Sequence, residues 1–393
     1  MKTVKQAIIL AAGEGQRLRP FTVNKPKPML SIAGKPILQY VIEALVQNGI
    51  RRIVLVVGYR REQILNYVGS GSKFGAEITY INQEKQLGTA HALEQVKEVA
   101  DNEFLVLSGD DMIEEDTITR FCMVPADALL VKRAENTARY GVVTMSGGMV
   151  QGITEKLVEA KSDIVNTGIY SFTREIFSFT KNHLDIPDAI NDMLAEGRPI
   201  SAEETTGTWL DVAYPWDILN LNAAALDGIQ SEMRGAIDQW VLLKDKVMVG
   251  SDTVIRASSY VAGPVIIGNN CEIGPSTCIL SNTSIGDNVV ISPFSSIKNS
   301  IIGNDVNIGP GCVIQDSIID SGCTIKGHFT AYSGEADIRF NGYSPTNIGI
   351  MMGEDCTIGN NVVAQPGVIL GNHSQVQSLK LLSGQLPDRS LVF

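Results

Sequence analysis

No stretch of the 393-residue sequence reaches the roughly 18 consecutive apolar residues that a membrane-spanning helix needs. Lys2 and Lys5 precede the first apolar run, at 7–12. That run is too short for the core of a secretory signal, and no cleavage pattern follows it. The expectation is a cytoplasmic protein without membrane association. Basic residues are also in deficit: 32 Lys and Arg face 43 Asp and Glu, a net charge of −11. The broad basic face that nucleic acid binding requires is therefore not expected. A few cations focused in a cleft still suffice for a small anionic substrate. None of the six cysteines forms a CxxC pair, which argues against a zinc site. The glycine turn at 13–15 fits neither well-known nucleotide loop. The GxGxxG fingerprint fails because Leu18 holds its last position, and the GxxxxGK[ST] loop fails too.

What is present divides at about residue 228. Before it, short apolar runs alternate with helical patterns. AIILAA, RRIVLVVGY, EITYINQ and EFLVLSGDD read as strands, whereas ILQYVIEALVQNG (closed by Gly49), EQILNYVG and TAHALEQVKEV read as helices. Continuous apolar strands separated by helices predict an α/β domain, a doubly wound, mostly parallel sheet covered on both faces. In such sheets ligands sit beyond the carboxyl ends of strands. Three segments fall just past a strand end: 13–27, 83–89 and 109–111.

After about residue 251 the period changes. Ile267, Ile273, Ile279, Ile285, Ile291 and Ile297 recur every six residues, and glycine follows at 268, 274 and 286. After a one-residue slip the series resumes at Ile302, Ile308 and Ile314, and returns at Met352, Ile358, Ala364, Leu370 and Val376. This is a hexapeptide repeat, each unit one short strand and a turn, three to a coil of parallel β-helix. A single unit cannot bury its apolar face, so the coils must stack. Cys271, Cys312, Cys323 and Cys356 each lie four residues after an aliphatic repeat position, in a slot held elsewhere by Thr277, Thr283, Val289 and Ser295. Small residues facing the coil interior are expected there. The predicted organisation is a first domain over 1–228, a connector over 229–250 and a repeat domain over 251–393.

A bare GxG turn says little, but the string LAAGEGQRLRPFTVNKPKPMLSIAGKPIL says more. It resembles the signature of sugar-1-phosphate nucleotidylyltransferases: a small-residue strand end, GxGTRLxPxT, PKxM[LV]P, then GKP[IL]. Gln16 replaces the usual Thr or Ser, and Ser31 the usual Pro; neither position carries charge chemistry. Further segments match in order: INQEKQLGTAHAL, VLSGDDM, YGVV…ITEK…VNTGIYSF and GTWLDVAYPWDIL. The resemblance covers about residues 5–225. With the repeats, it is closest to two-domain archaeal and bacterial enzymes with a left-handed β-helix, some of them bifunctional with an acetyltransferase.

The resemblance implies the attack of a sugar 1-phosphate on the α-phosphorus of UTP or dTTP, with pyrophosphate leaving. Positioning and charge neutralisation would dominate such a reaction. Leu10, Ala12, Gly13 and Gly15 would lie along the nucleotide, and Gln83, Gly88 and Thr89 would read the base. Arg17 would grip the leaving end of the triphosphate. Lys27 would sit by the α-phosphate, and is preferred to Lys25 for its spacing to Met29 and Leu30. Asp110 and Asp211 would hold Mg²⁺, a hard cation suited to carboxylates. Gly141, Glu155, Asn166 and Lys156 would bind the sugar and its phosphate. Asp111 is assigned to capping a helix, and Trp209 and Trp216 to packing.

Residues 326–351 interrupt the repeats. In bifunctional relatives this region holds an acetyl-coenzyme A site, for which His328 is the candidate base, with Tyr332, Asn341 and Asn347 near it in sequence. The tyrosine lies four residues after the histidine rather than three, and only Lys326 and Arg339 are basic. Scaffolding or assembly, for example as a trimer, is the preferred role. Two other readings are a catalytically silent regulatory homologue and an acyltransferase with a vestigial first half. Retention of Arg17, Lys27, Asp110 and Asp211 opposes the former, and the degraded insertion the latter.

Overall fold

The computed structural model describes residues 4–155, 162–336 and 347–393, without the side chain of Glu155. By the density of its contacts the chain forms two units. One contains the residues to Gly15, Asn24–Leu30 and Pro36–Asp211; the other contains Gln16–Val23, Ser31–Lys35 and Val212–Phe393.

The first unit is built on a nine-stranded sheet. Its spatial order is Glu77–Asn82, Arg52–Val57, Gln6–Ala11, Glu103–Ser108, Ile164–Thr173, Ala128–Arg133, Ser201–Glu204, Met149–Glu155 and Gly141–Ser146. The first four strands are parallel. Ile164–Thr173 then enters antiparallel, and the remaining pairings are mixed. Side chains alternate between faces along a strand. Ile8, Val54 and Val106 accordingly join one apolar cluster with Leu93 and Ile190, while Ile9, Leu55 and Leu107 join the other with Val41, Ile42 and Ile64. Helices cover both faces, which is why these strands read as unbroken apolar runs. Helix Ile37–Gln47 buries Ile37, Leu38, Val41, Ile42 and Leu45, one stripe at helical spacing, and ends before Gly49 at φ 78°.

The second unit stacks three parallel sheets of nine, nine and eight strands. Glu272 pairs with Val290, eighteen residues on, and Val290 with Asn307, seventeen on. That shorter coil is the slip seen in the repeat. All the aliphatic positions named above are buried, and so are the four cysteines, Thr277, Thr283, Val289 and Ser295. Burying one such isoleucine stabilises by roughly 1.5–3 kcal/mol. Asn270, Asn288 and Asp305 turn corners at φ 53°, 58° and 58°, a conformation that Asn and Asp tolerate. Their side chains form a ladder: Asn270 Nδ2 donates to Asn288 Oδ1, and Asn288 Nδ2 to Asp305 Oδ1, both at 2.9 Å.

The stack extends further than the repeat signature does. Strands Glu232–Met233, Ala236–Ile237 and Leu242–Lys244 pair with Met248, Val254 and Tyr260 and their neighbours, so the expected connector at 229–250 forms the first coil. The six-residue spacing runs on into it, with Ile237, Leu243 and Val249 paired to Ile255, Val261 and Ile267, but Met233, Ile237, Trp240 and Leu242 are exposed and of those three aliphatics only Val249 is followed by glycine. Leu381–Leu382, Gln385–Leu386 and Leu391–Val392 likewise close the other end. After Thr330–Ala331 the repeat is interrupted, and it resumes where Met351 stacks on Ile318.

Candidate active site

Parallel strands deliver their following loops to one sheet edge, and the polar residues of the first unit gather there. A cavity of about 320 Å³ is lined by Leu10, Ala12, Gly13, Gly15, Lys27, Gln83, Gly88, Thr89 and Asp110. These are the expected nucleotide residues of the first unit, with the lysine and one aspartate. Ser108, Gly168, Tyr170 and Gln86 also line it.

At one part of the cavity lies a charge cluster. Lys27 opens a short turn, Lys27–Met29, between Pro26 and Pro28. Its ammonium pairs with Asp110 Oδ2 and lies 3.4 Å from Asp211 Oδ1. Asp110 follows strand Glu103–Ser108, and its Oδ1 accepts from the Ser108 hydroxyl. Asp211 follows the short strand Trp209–Leu210, which pairs with Met112–Ile113. Asp110, Asp111 and Asp211 each offer a carboxylate oxygen within 4.8 Å of the others. Burial opposes the charge on Lys27, but Asp110, Asp211 and Asp111 outweigh it and hold the ammonium above its ordinary range. Three carboxylates around one lysine leave excess negative charge, and the buried Asp111 relieves it by holding its proton more tightly. Burial, then the charges of Asp110 and Asp211, push its carboxyl well above the usual range.

Asp111 is therefore not a helix cap. Helix Glu115–Phe121 is preceded by Glu114, and Asp111 accepts from Trp209 Nε1 at 3.2 Å. The pairing of strand Trp209–Leu210 with Met112–Ile113 carries Trp209 to it. That contact is non-local, and nothing near Asp111 in sequence announces it.

The base side of the cavity is built from two segments. Gly88 precedes helix Thr89–Glu94 at φ 150°, and a Cβ there would lie 2.4 Å from the Leu184 carbonyl, so glycine is required. Asp185 Oδ1 accepts from the Thr89 N–H at 3.1 Å and from its hydroxyl at 3.2 Å, while Thr89 Oγ1 accepts from the Ile186 N–H at 2.9 Å. Gln83 follows strand Glu77–Asn82, buried, with Nε2 donating to the Gly88 carbonyl at 3.1 Å.

Arg17, Gly141 and Asn166 are not among the residues lining the cavity. Arg17 is exposed on the single turn Gln16–Leu18, which groups with the second unit. Gly141 is buried and its backbone pairs with Glu155, whose side chain lies outside the described residues, as does Lys156. The Asn166 carboxamide is engaged locally: Nδ2 donates to Tyr170 Oη at 2.7 Å, and Oδ1 accepts from the Gly168 N–H at 2.9 Å. Gly168 and Tyr170, not Asn166, reach the cavity. Register slips between Asn166 and Tyr170 against strand Ala128–Arg133, a bulge that aims them there. A glycine two residues after an asparagine was the only sign of it in sequence. In the repeat unit His328 is an exposed coil corner at φ 59°, near the exposed Tyr332, while Asn341 lies outside the described residues.

The comparisons agree with this geometry on a class. Residues 6–228 match the family described as nucleotidyl transferase, and residues 261–331 match the GMPPB C-terminal domain. The chain is an enzyme of the nucleotidyl-transferring kind. It is 32% identical to the "Bifunctional protein GlmU" of Methanocaldococcus jannaschii over 98% of this chain and 97% of that one. It is 33% identical to a glucose-1-phosphate thymidylyltransferase of Streptomyces antibioticus, over 73% of this chain and 84% of the relative. A solved structure described as a glucose-1-phosphate thymidylyltransferase from Bacillus anthracis, in complex with a sucrose, superposes with a TM-score of 0.53 at 28% identity, covering 58% of this chain and 97% of that one. The chain belongs to the sugar-1-phosphate nucleotidyltransferase family. Among the described residues no helix is long and apolar enough to cross a membrane.

Proposed function

We propose that residues 1–228 transfer a uridylyl or thymidylyl group from UTP or dTTP to a hexose or N-acetylhexosamine 1-phosphate, releasing pyrophosphate. The observation that carries this reading is the Lys27–Asp110–Asp211 cluster beside a cavity lined by the glycine turn and Gln83. Both reactants are anions, and their repulsion is the first barrier. Lys27, at the cavity wall, offers a positive charge to the α-phosphate. The turn at Gly13 and Gly15 lines the cavity, where backbone N–H groups suit phosphate oxygens. Arg17 supplies a planar fork for the leaving pyrophosphate. Gln83 and the Gly88 backbone read the pyrimidine edge, and Gly141, Glu155, Asn166 and Lys156 complete the sugar side.

The donor set suits Mg²⁺: all oxygen, all carboxylate, mutually within ligand reach. Asp110 and Asp211 would hold it, and it would neutralise charge on the α-phosphate and sugar phosphate when bound. Lys27 already bridges these carboxylates, so it stands where a cation is favoured.

Pyrophosphate release, measured with four nucleoside triphosphates and several sugar 1-phosphates in the presence of Mg²⁺, tests the reading. Turnover confined to UTP or dTTP is expected. No turnover with any pair would favour a silent homologue. The full-length relatives named bifunctional, and an exposed His328, justify one added arm: thiol release from acetyl-coenzyme A with glucosamine 1-phosphate. Assembly into a homo-oligomer through the repeat half is part of the same reading, and light scattering measures it.

A further inference from the structure

The amide of Gln83 is tied on its nitrogen side before any nucleotide arrives. Gln83 is 3% exposed and lines the cavity. Its Nε2 lies 3.1 Å from the Gly88 carbonyl and 2.9 Å from His91 Nδ1. A backbone carbonyl only accepts, so the atom facing Gly88 must be the amide nitrogen, and this settles which way round the carboxamide sits. Nε2 carries two hydrogens. One serves Gly88 and the other points at His91, so Nδ1 is the bare nitrogen of that ring and Nε2 bears its proton. Both donors of Gln83 are then spent. Its remaining group, Oε1, can only accept, and among the described residues nothing else donates to it. His91 is not part of the cavity wall. It is held by its backbone, whose N–H donates to the Leu184 carbonyl at 3.2 Å and whose carbonyl accepts from Gln95 Nε2 at 3.2 Å.

We propose that His91 is a positioning residue for base selection: by accepting the second amide hydrogen it holds Gln83 with Oε1 turned to the base, so that the site takes a pyrimidine bearing a hydrogen on N3 and rejects one whose N3 is a bare acceptor. Uracil and thymine meet that demand, and cytosine does not. The inference rests on the reading of Gln83 as the base reader. With an apolar ring at position 91 the second hydrogen has no acceptor. Only the Gly88 carbonyl then holds the amide, so turning it to offer a donor, which suits cytosine, gives up one hydrogen bond rather than two.

The test compares UTP and CTP kinetics in three variants. His91→Phe is expected to raise KM for UTP about tenfold, to change kcat less than about threefold, and to lower the UTP:CTP ratio of kcat/KM about tenfold. His91→Asn, whose Oδ1 replaces Nδ1 as acceptor, is expected to restore both. A His91→Phe ratio within twofold of the parent chain, or a His91→Asn variant as impaired as His91→Phe, overturns the proposal. Gln83→Leu separates the two levels. If it leaves the ratio unmoved, the reading of Gln83 fails. If it moves the ratio while His91→Phe does not, the role of His91 alone fails. Should His91→Phe not fold, nitrogen NMR of the unaltered chain labelled with ¹⁵N-histidine decides. An unprotonated Nδ1 with a protonated Nε2 is expected for His91, and the reverse tautomer, or protons on both nitrogens, overturns the proposal.

Discussion

The two units of the chain hide apolar side chains in opposite ways. In the repeat unit one local pattern is reused: Ile273 lies under Ile291, Ile291 under Ile308, and Ile308 under Ile325, each coil resting on the last. In the first unit every strand differs, and helices cover both faces. Repetition leaves the coil interior apolar or small and gives many of the corners to Asn and Asp. The irregular sheet ends its strands in loops of unlike sequence, and there Lys27, Asp110, Asp111 and Asp211 meet. Buried charge costs the second arrangement stability that the first keeps.

The sharpest way to break this comparison is to remove a charge from the site without altering its shape. Asp110→Asn is expected to lower pyrophosphate release by about 100–1000-fold while the circular dichroism melting curve stays in place. Retained turnover would remove Asp110 from the ion site. The complementary change is Ile308→Ala in the repeat core. It is expected to cost about 2–5 kcal/mol in urea unfolding, whereas the outward Val290→Ala stays within about 0.5 kcal/mol. Equal costs would mean that the coil interior does not carry the stability of that unit.

What could be read from sequence follows the same division. The hexapeptide series and the cysteine positions are local facts, and stacking preserves them. Four of the nine strands of the first sheet were legible because each is a mainly apolar run and the helices between them are periodic, and the strand-end rule located Gly13, Gln83 and Asp110. The bond of Asp111 to Trp209 spans 98 residues of sequence, and no local pattern encodes it. Tyr170 reaches the cavity through a bulge, which alternation cannot foresee. The first coil keeps the six-residue spacing at Ile237, Leu243 and Val249, but its exposed apolar residues and missing glycines mask it.

A smaller effect is expected at Gly88. Gly88→Ala forces a Cβ toward the Leu184 carbonyl, and should raise KM for the nucleotide about tenfold with little change in kcat. An unchanged KM would show that this loop does not shape the base site. The smallest effect concerns thiols. Burial pushes Cys122 up to about 11, so at pH 8 only about one molecule in a thousand carries its thiolate. Alkylation of Cys122 should quicken as pH rises toward that value. Cys271, Cys312, Cys323 and Cys356, inside the coils, should resist until the repeat unit unfolds, and rapid labelling of them in the folded chain would deny the packed interior.

The central claim is that a divalent ion held by Asp110 and Asp211, with Lys27 beside it, lets two anions meet. Crystals grown with UTP and Mn²⁺, an anomalously scattering substitute for Mg²⁺, test it most directly. An anomalous peak within ligand distance of both aspartates, with the Lys27 ammonium turned from Asp110 to the α-phosphate, is the predicted result. Manganese bound elsewhere, or Lys27 still bridging the two carboxylates beside a bound nucleotide, would contradict it.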